Sequence, residues 1–192
     1  MAYTIKDVFY LSTSATIAAS TANGGSAQLD LSAYIDPIAR GRTKGTGLAI
    51  YKAHFVTSQS ANSEPIDDAE AGTFRAGLIA GLGIGDNATG AVALAANIFN
   101  ATNNLMVASY DFYGPKSMVA NASPPAAGLM TASTYVEPSI EVPYVIVRDN
   151  VCLVYEVGDN FTSEHNISVR LEVAQISLDQ ATLNQLLRTQ TV

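Results

Sequence analysis

Residues 143–178 read PYVIVRDNVCLVYEVGDNFTSEHNISVRLEVAQISL. Two apolar runs flank a polar break. In the second run, Ile167, Val169, Leu171 and Val173 alternate with Ser168, Arg170, Glu172 and Ala174. A period of two over eight residues predicts a strand with one buried face. In the first run, Val151, Leu153, Tyr155 and Val157 alternate with Cys152, Val154 and Glu156. That strand has one apolar face and one mixed face. Gly158 to His165 is too long for a two-residue turn and suits a surface loop. The two runs are expected to form a hairpin at the centre of a β-sandwich. After Val173 the apolar residues shift to Ile176 and Leu178, and a β-bulge near Ala174–Gln175 would produce that shift.

Working outward, the same alternation recurs. Ile5 to Ala19 predicts a strand almost at the N-terminus, and Ala27 to Ile35 another, closed by Asp36-Pro37. Gly47 to Ser58 is a third, with Leu48, Ile50, Lys52, His54 and Val56 on one face and Ala49, Tyr51, Ala53 and Phe55 on the other. Phe74 to Leu82 reads as a strand or a helix, and glycines 77, 81, 83 and 85 disfavour the helix. Ala91 to Asn100 suits a short helix. Asn104 to Tyr113 is a strand, Val119 to Thr134 an extended loop, and Tyr135 to Val147, with Pro138 and Pro143, an edge or bent strand. The tail changes period. Leu178, Leu183, Leu186 and Leu187 form a helical stripe over about 179–189, capped by Ser177 or Asp179, with Ser177 and Gln180 at capping-box spacing. The expected fold is all-β: one domain over 1–192, an antiparallel sandwich of single jelly-roll type with a short C-terminal helix.

The chain has 192 residues, 48% hydrophobic and 14% charged, with a net charge of −7. Its pI is about 4.6. The acidic balance argues against direct binding to nucleic acid or to an anionic membrane. Residues 1–20 lack the basic start and long apolar core of a signal peptide, and no run approaches the roughly 20 apolar residues that span a bilayer. An unprocessed chain made in the cytoplasm is expected. The single cysteine, Cys152, reads as a small buried hydrophobe.

Chemistry-bearing motifs are weak. Ala80 to Gly85 spaces its glycines as G-x-G-x-G, which is not the dinucleotide fingerprint, and reads as a loop or close-packed strand. His54 is read as packed and His165 as solvated; neither has a His or Cys neighbour at zinc or dyad spacing. Glu64, Asp67, Asp68 and Glu70 offer oxygen ligands for calcium but lack a defined ligand pattern, so a solvated acidic loop is the better reading. Five N-x-S/T sequons, at Asn87, Asn100, Asn121, Asn160 and Asn166, would mark exposed loops if the chain were secreted. No catalytic residue, metal or cofactor is assigned.

The strand series Ala27–Ile35, Gly47–Ser58, Asn104–Tyr113 and Val151–Leu178 resembles the single jelly-roll capsid proteins of icosahedral archaeal and bacterial viruses with an internal membrane. The resemblance implies a structural shell protein of the virion. Its partners would be copies of itself, other capsid proteins and, through other proteins, a membrane layer. Unlike many RNA-virus coats, residues 1–20 carry only Lys6 as a base, so no direct genome contact is expected. Loops 36–47 and 114–134, residues Arg40, Arg42 and Lys44, and the helix stripe Leu183, Leu186 and Leu187 are the expected contacts. The helix also suits a plain covering role at one end of the sandwich, with docking on a neighbouring subunit as the alternative. Removing 179–192 is expected to impair assembly more than folding. The alternative is a carbohydrate- or ligand-binding module using Tyr110, Phe112 and Tyr113, or Tyr34 and Tyr51, although a core role suits these rings better. A cupin-like enzyme would need more than two histidines.

Overall fold

A computed structural model of the chain describes residues 5–21, 24–36, 44–66, 70–81, 98–114 and 131–190. Among these residues, nine strands and one helix follow in order: β1 Ile5–Ile17, β2 Gly25–Asp30, β3 Lys44–Gln59, β4 Thr73–Ala80, β5 Met106–Tyr113, β6 Thr131–Thr134, β7 Tyr144–Ile146, β8 Asn150–Asp159, β9 His165–Asp179 and α1 Gln180–Thr189. They build two antiparallel sheets. Sheet A has the order β1-β9-β3-β7 and sheet B the order β2-β8-β4-β5-β6. The all-β sandwich expected from the alternating runs is what forms. The pairings nest: β1 with β9, β2 with β8, β3 with β7, and β4 with β5.

The core lies between the sheets. Ile167, Val169, Leu171 and Val173 of β9 meet Val151, Leu153, Tyr155 and Val157 of β8 in one buried cluster. The hairpin expected between these runs does not form, because β8 belongs to sheet B and β9 to sheet A. Each run is a central strand, with β9 between β1 and β3 and β8 between β2 and β4. Their apolar faces oppose each other across the sandwich instead of pairing edge to edge. The chain between them crosses the end of the sandwich, where Phe161 is buried beside Phe74 and Phe112, both at 6.0 Å between ring centroids. Fully burying a side chain of this size contributes roughly 1.5–3 kcal/mol.

The expected bulge in β9 is absent. No residue is inserted in β9, which runs continuously through its pairing with β3, although burial moves from one face to the other at Val173–Ala174. The irregularities lie in both partner strands: between Ile5 and Val8 of β1, opposite Ala174–Ile176, the expected place of the bulge, and between Ile50 and Lys52 of β3. One extra residue there, Tyr51, flips the following side chains to the other face. Leu48 and Ile50 point inward before it, and Ala53 and Phe55 after it. The two faces expected for β3 are therefore correct only up to Ile50. Ile176 and Leu178 mark no change of phase. They lie on the outer face of sheet A, which is apolar there because α1 covers it.

That cover is specific. Asp179 caps α1 by accepting the Thr182 N–H at 2.7 Å, while Ser177 remains in β9. Leu183, Leu186 and Leu187 fall on one helical face and pack on Ala49, Tyr51, Val147, Ala174, Ile176 and Leu178. Gly45 makes the close approach possible: a Cβ there would stand 2.9 Å from Leu183 Cδ2. Past the helix, the Gln190 side chain accepts from Val147 N at 3.2 Å and donates to the Val145 carbonyl at 2.6 Å. β7 is the last strand of sheet A, and the amide of Gln190 takes the two backbone groups that a further strand would bond. This is one way to close an exposed sheet edge.

Smaller differences have local causes. β2 stops at Asp30, and Tyr34 N bonds back to Leu31 O in a turn. Residues 131–134 of the expected loop form edge strand β6. Only 144–146 of the expected strand 135–147 is strand, since a turn fills 139–142. Residues 91–97 of the expected helix and 119–130 of the expected loop lie outside the described residues.

Candidate functional site

The residues nominated from sequence scatter. Arg40, Arg42, Asp67 and Asp68 lie outside the described residues, as do Asn87, Asn121 and 82–85 of the glycine run. Gly81 ends β4 at φ 65°, a left-handed turn suited to glycine. Lys44 is exposed at the start of β3, opposite Asp179. Leu183 is fully buried, and Leu186 and Leu187 half-buried, against the chain's own sheet A. The leucine stripe is thus already occupied, and loss of 179–192 would strip an apolar sheet face. Removing 179–192 would therefore carry a folding cost alongside any effect on assembly. Among the module's aromatic candidates, Tyr110 and Phe112 are core residues, Tyr51 lies in the cluster under α1 and Tyr34 is half-buried; Tyr113 is exposed.

Three single residues behave differently from their sequence reading. His54, read as packed, stands partly exposed on the outer face of sheet A beside Glu172, and His165 and Glu70 are buried. His165 is not solvated but fully buried, with its ring 4.6 Å from that of Phe161. Its Nδ1 donates to Ser163 O at 2.8 Å, and its Nε2 lies 3.9 Å from Glu70. Glu70, read as part of a solvated acidic loop, is buried as well. Its carboxylate accepts from the backbone N–H and hydroxyl groups of both Thr162 and Ser163. Burial works to raise the Glu70 pKa. The hydrogen bonds from Ser163 and Thr162, with His165 nearby, outweigh it and hold the group below the usual carboxylate range. With its oxygens committed to the 162–163 loop, Glu70 serves as a clamp across the sandwich end. Glu64 stays exposed, and no group of three or more metal-ligating side chains occurs among the described residues.

Two surfaces stand out instead. The first is the pair of outer strands of sheet A. On β1, Val8 and Tyr10 point outward and are 58% and 55% exposed. Arg170 of β9 stacks on the Tyr10 ring at 4.2 Å, and beside it His54 donates to Glu172 at 2.9 Å. Before β7, at the opposite edge, Ile140 and Val142 are 76% and 74% exposed. They sit in a turn closed by Ser139 N on Val142 O at 3.2 Å and Val142 N on Ser139 Oγ at 3.1 Å. One sheet therefore carries exposed apolar side chains at both of its edges.

The second surface is the outer face of sheet B. Arg75 of β4 and Asp111 of β5 are register partners. Arg75 Nε and Nη2 donate to the two Asp111 oxygens at 2.6 and 2.7 Å. Asp111 is buried while the Arg75 side chain is half exposed. This bidentate bond raises the Arg75 pKa further, although partial burial opposes it. Hollows of about 280 and 230 Å³ lie on either side, and Arg75 and Phe99 line both. Phe99 lies against the backbone of β4 because residue 77 is glycine; a Cβ there would be 3.2 Å from the ring. Sequence reading missed Arg75, Phe99, Tyr135 and Glu156 as a group. The available signal was one base and one acid standing alone in the apolar runs of 73–80 and 106–113. No known protein-family model, curated protein or solved structure matches this chain.

Proposed function

We propose that this chain is a structural shell subunit: a single jelly roll that associates with copies of itself to build an icosahedral virus capsid. The nested pairing of β1 with β9, β2 with β8, β3 with β7 and β4 with β5 supports the fold reading, because an antiparallel ribbon rolled on itself has that order. One observation carries the functional reading. Val8 and Tyr10 at the β1 edge, and Ile140 and Val142 at the β7 edge, expose apolar surface at opposite sides of one sheet. A contact between unlike edges is heterologous. It leaves one unfilled edge at each end of a growing string until a ring closes, which is how shells and their capsomers grow. The hydrogen-bonded turn at 139–142 presents its two side chains with little ordering cost.

In this reading the partners are copies of the chain, other capsid proteins and, through them, a membrane layer, and the protein resides in the virion. The net charge of −7 leaves genome packaging to other components. Sedimentation velocity and negative-stain microscopy of the purified protein test the proposal. Large symmetric oligomers are expected, and Tyr10→Glu or Ile140→Glu should reduce them to monomers. Persistent monomers of the unsubstituted chain at all concentrations would refute it.

A further inference from the structure

We infer that the outer face of sheet B holds a binding site for a neutral saccharide, centred on Arg75. A bidentate ion pair with a buried carboxylate is a costly feature for the outer face of a sheet, where water could solvate both charges. Here it fixes the guanidinium in place. Two of its five N–H groups are committed to Asp111, and the remaining donors belong to a half-exposed side chain. The Arg75 guanidinium carbon lies 5.9 Å from the centre of the Tyr135 ring. Tyr135 is 63% exposed, and the next residue anchors the chain beside it: Ser109 N donates to Val136 O at 3.0 Å, and Val136 N to Ser109 Oγ at 3.1 Å.

Each of the two hollows supplies what a sugar ring requires. One is lined by Arg75, Asp111, Tyr113, Glu156 and Phe99, the other by Arg75, Ser109, Tyr135 and Phe99. Each joins aromatic surface to hydrogen-bonding groups of both senses. A pyranose has the same make-up, with C–H faces and a rim of hydroxyls that both donate and accept. Each volume is below the roughly 300 Å³ at which drug-sized ligands begin, which suits one ring per hollow. The charges select a neutral ligand. Asp111 already balances Arg75, and Glu156, the neighbour of Arg75 on β8, adds a further negative charge. A phosphate, sulfate or sialic acid would meet a net acidic site. This inference does not depend on self-assembly.

Saturation-transfer NMR and titration calorimetry suit a monomer and a shell equally. The probes are lactose, maltose and diacetylchitobiose as neutral disaccharides and sialyllactose as the anionic comparison. Saturable binding of at least one neutral probe is expected. Tyr135→Ala, an exposed substitution that leaves the ion pair intact, should weaken it about tenfold while melting stays unchanged. Glu156→Ala should weaken the neutral probe and improve sialyllactose. No saturable binding of any neutral probe at about 10 mM, binding indifferent to Tyr135→Ala, or a preference of the unsubstituted protein for sialyllactose would each overturn the assignment.

Discussion

Replacing Leu183 with alanine should show whether α1 belongs to its own sandwich or to a neighbour. The side chain is fully buried between the backbone at Gly45 and a floor of Ala49, Tyr51, Val147, Ala174, Ile176 and Leu178. Leu→Ala changes at such sites cost about 2–5 kcal/mol, the transfer of the lost carbons plus the cavity left behind. The helix has only ten residues and one side in solvent, so it can settle partly into the gap. That places the expected loss near 3 kcal/mol. With a urea slope of about 3 kcal/mol/M, the unfolding midpoint should fall by about 1 M. The shift should be the same at low and high protein concentration, because Leu183 packs only against its own chain. Asn184→Ala, on the exposed face, serves as control and should stay within about 0.5 kcal/mol. A loss below about 1 kcal/mol, or one that emerges only at high concentration, would refute this reasoning. Either result would favour the alternative in which the leucine stripe docks on a neighbouring subunit.

Gln190→Ala should cost about 1–3 kcal/mol, since it leaves the buried Val147 N–H without its acceptor; faster hydrogen exchange at that amide is the direct readout. Glu70 should make the fold acid-sensitive. Its folded pKa is lowered, so its stabilisation is complete above the unfolded value of 4.5 and is lost as pH falls through the folded value. Between pH 7 and pH 3 the urea midpoint of Glu70→Gln should therefore fall less than that of the unsubstituted protein, and equal falls would show that the clamp does not act through its charge.

The strands were legible where alternation was clean, as in Ile167–Val173, and the helix where Leu183, Leu186 and Leu187 follow Asp179. What alternation omits is the pairing partner. The runs at 151–157 and 167–173 look equally suited to edge-to-edge or face-to-face contact, and only their flanking strands decide between the two. A bulge is invisible for a related reason. The extra residue at Tyr51 puts Leu48, Ile50, Ala53 and Phe55 on one face although strict alternation splits them, while Ile176 and Leu178 imitate a slip only because α1 covers the outer face. Burial of polar groups was hidden by distance along the chain. Glu70 looks solvated until Thr162 and Ser163 close over it, and Arg75 and Asp111 are 36 residues apart. The exposed turn at 139–142 gave no signal, because two apolar residues between prolines read equally well as strand.

The most direct test of the proposed role is sedimentation velocity on an equimolar mixture of Tyr10→Glu and Ile140→Glu chains. Each variant spoils one edge of sheet A and keeps the other. Each alone should be monomeric, and the mixture should stop at dimers, joined through the one intact β1 edge and the one intact 139–142 turn. Assembly of either variant to the full size of the unsubstituted protein, or a mixture that remains monomeric, would contradict the claim that unlike edges of this sandwich bind each other.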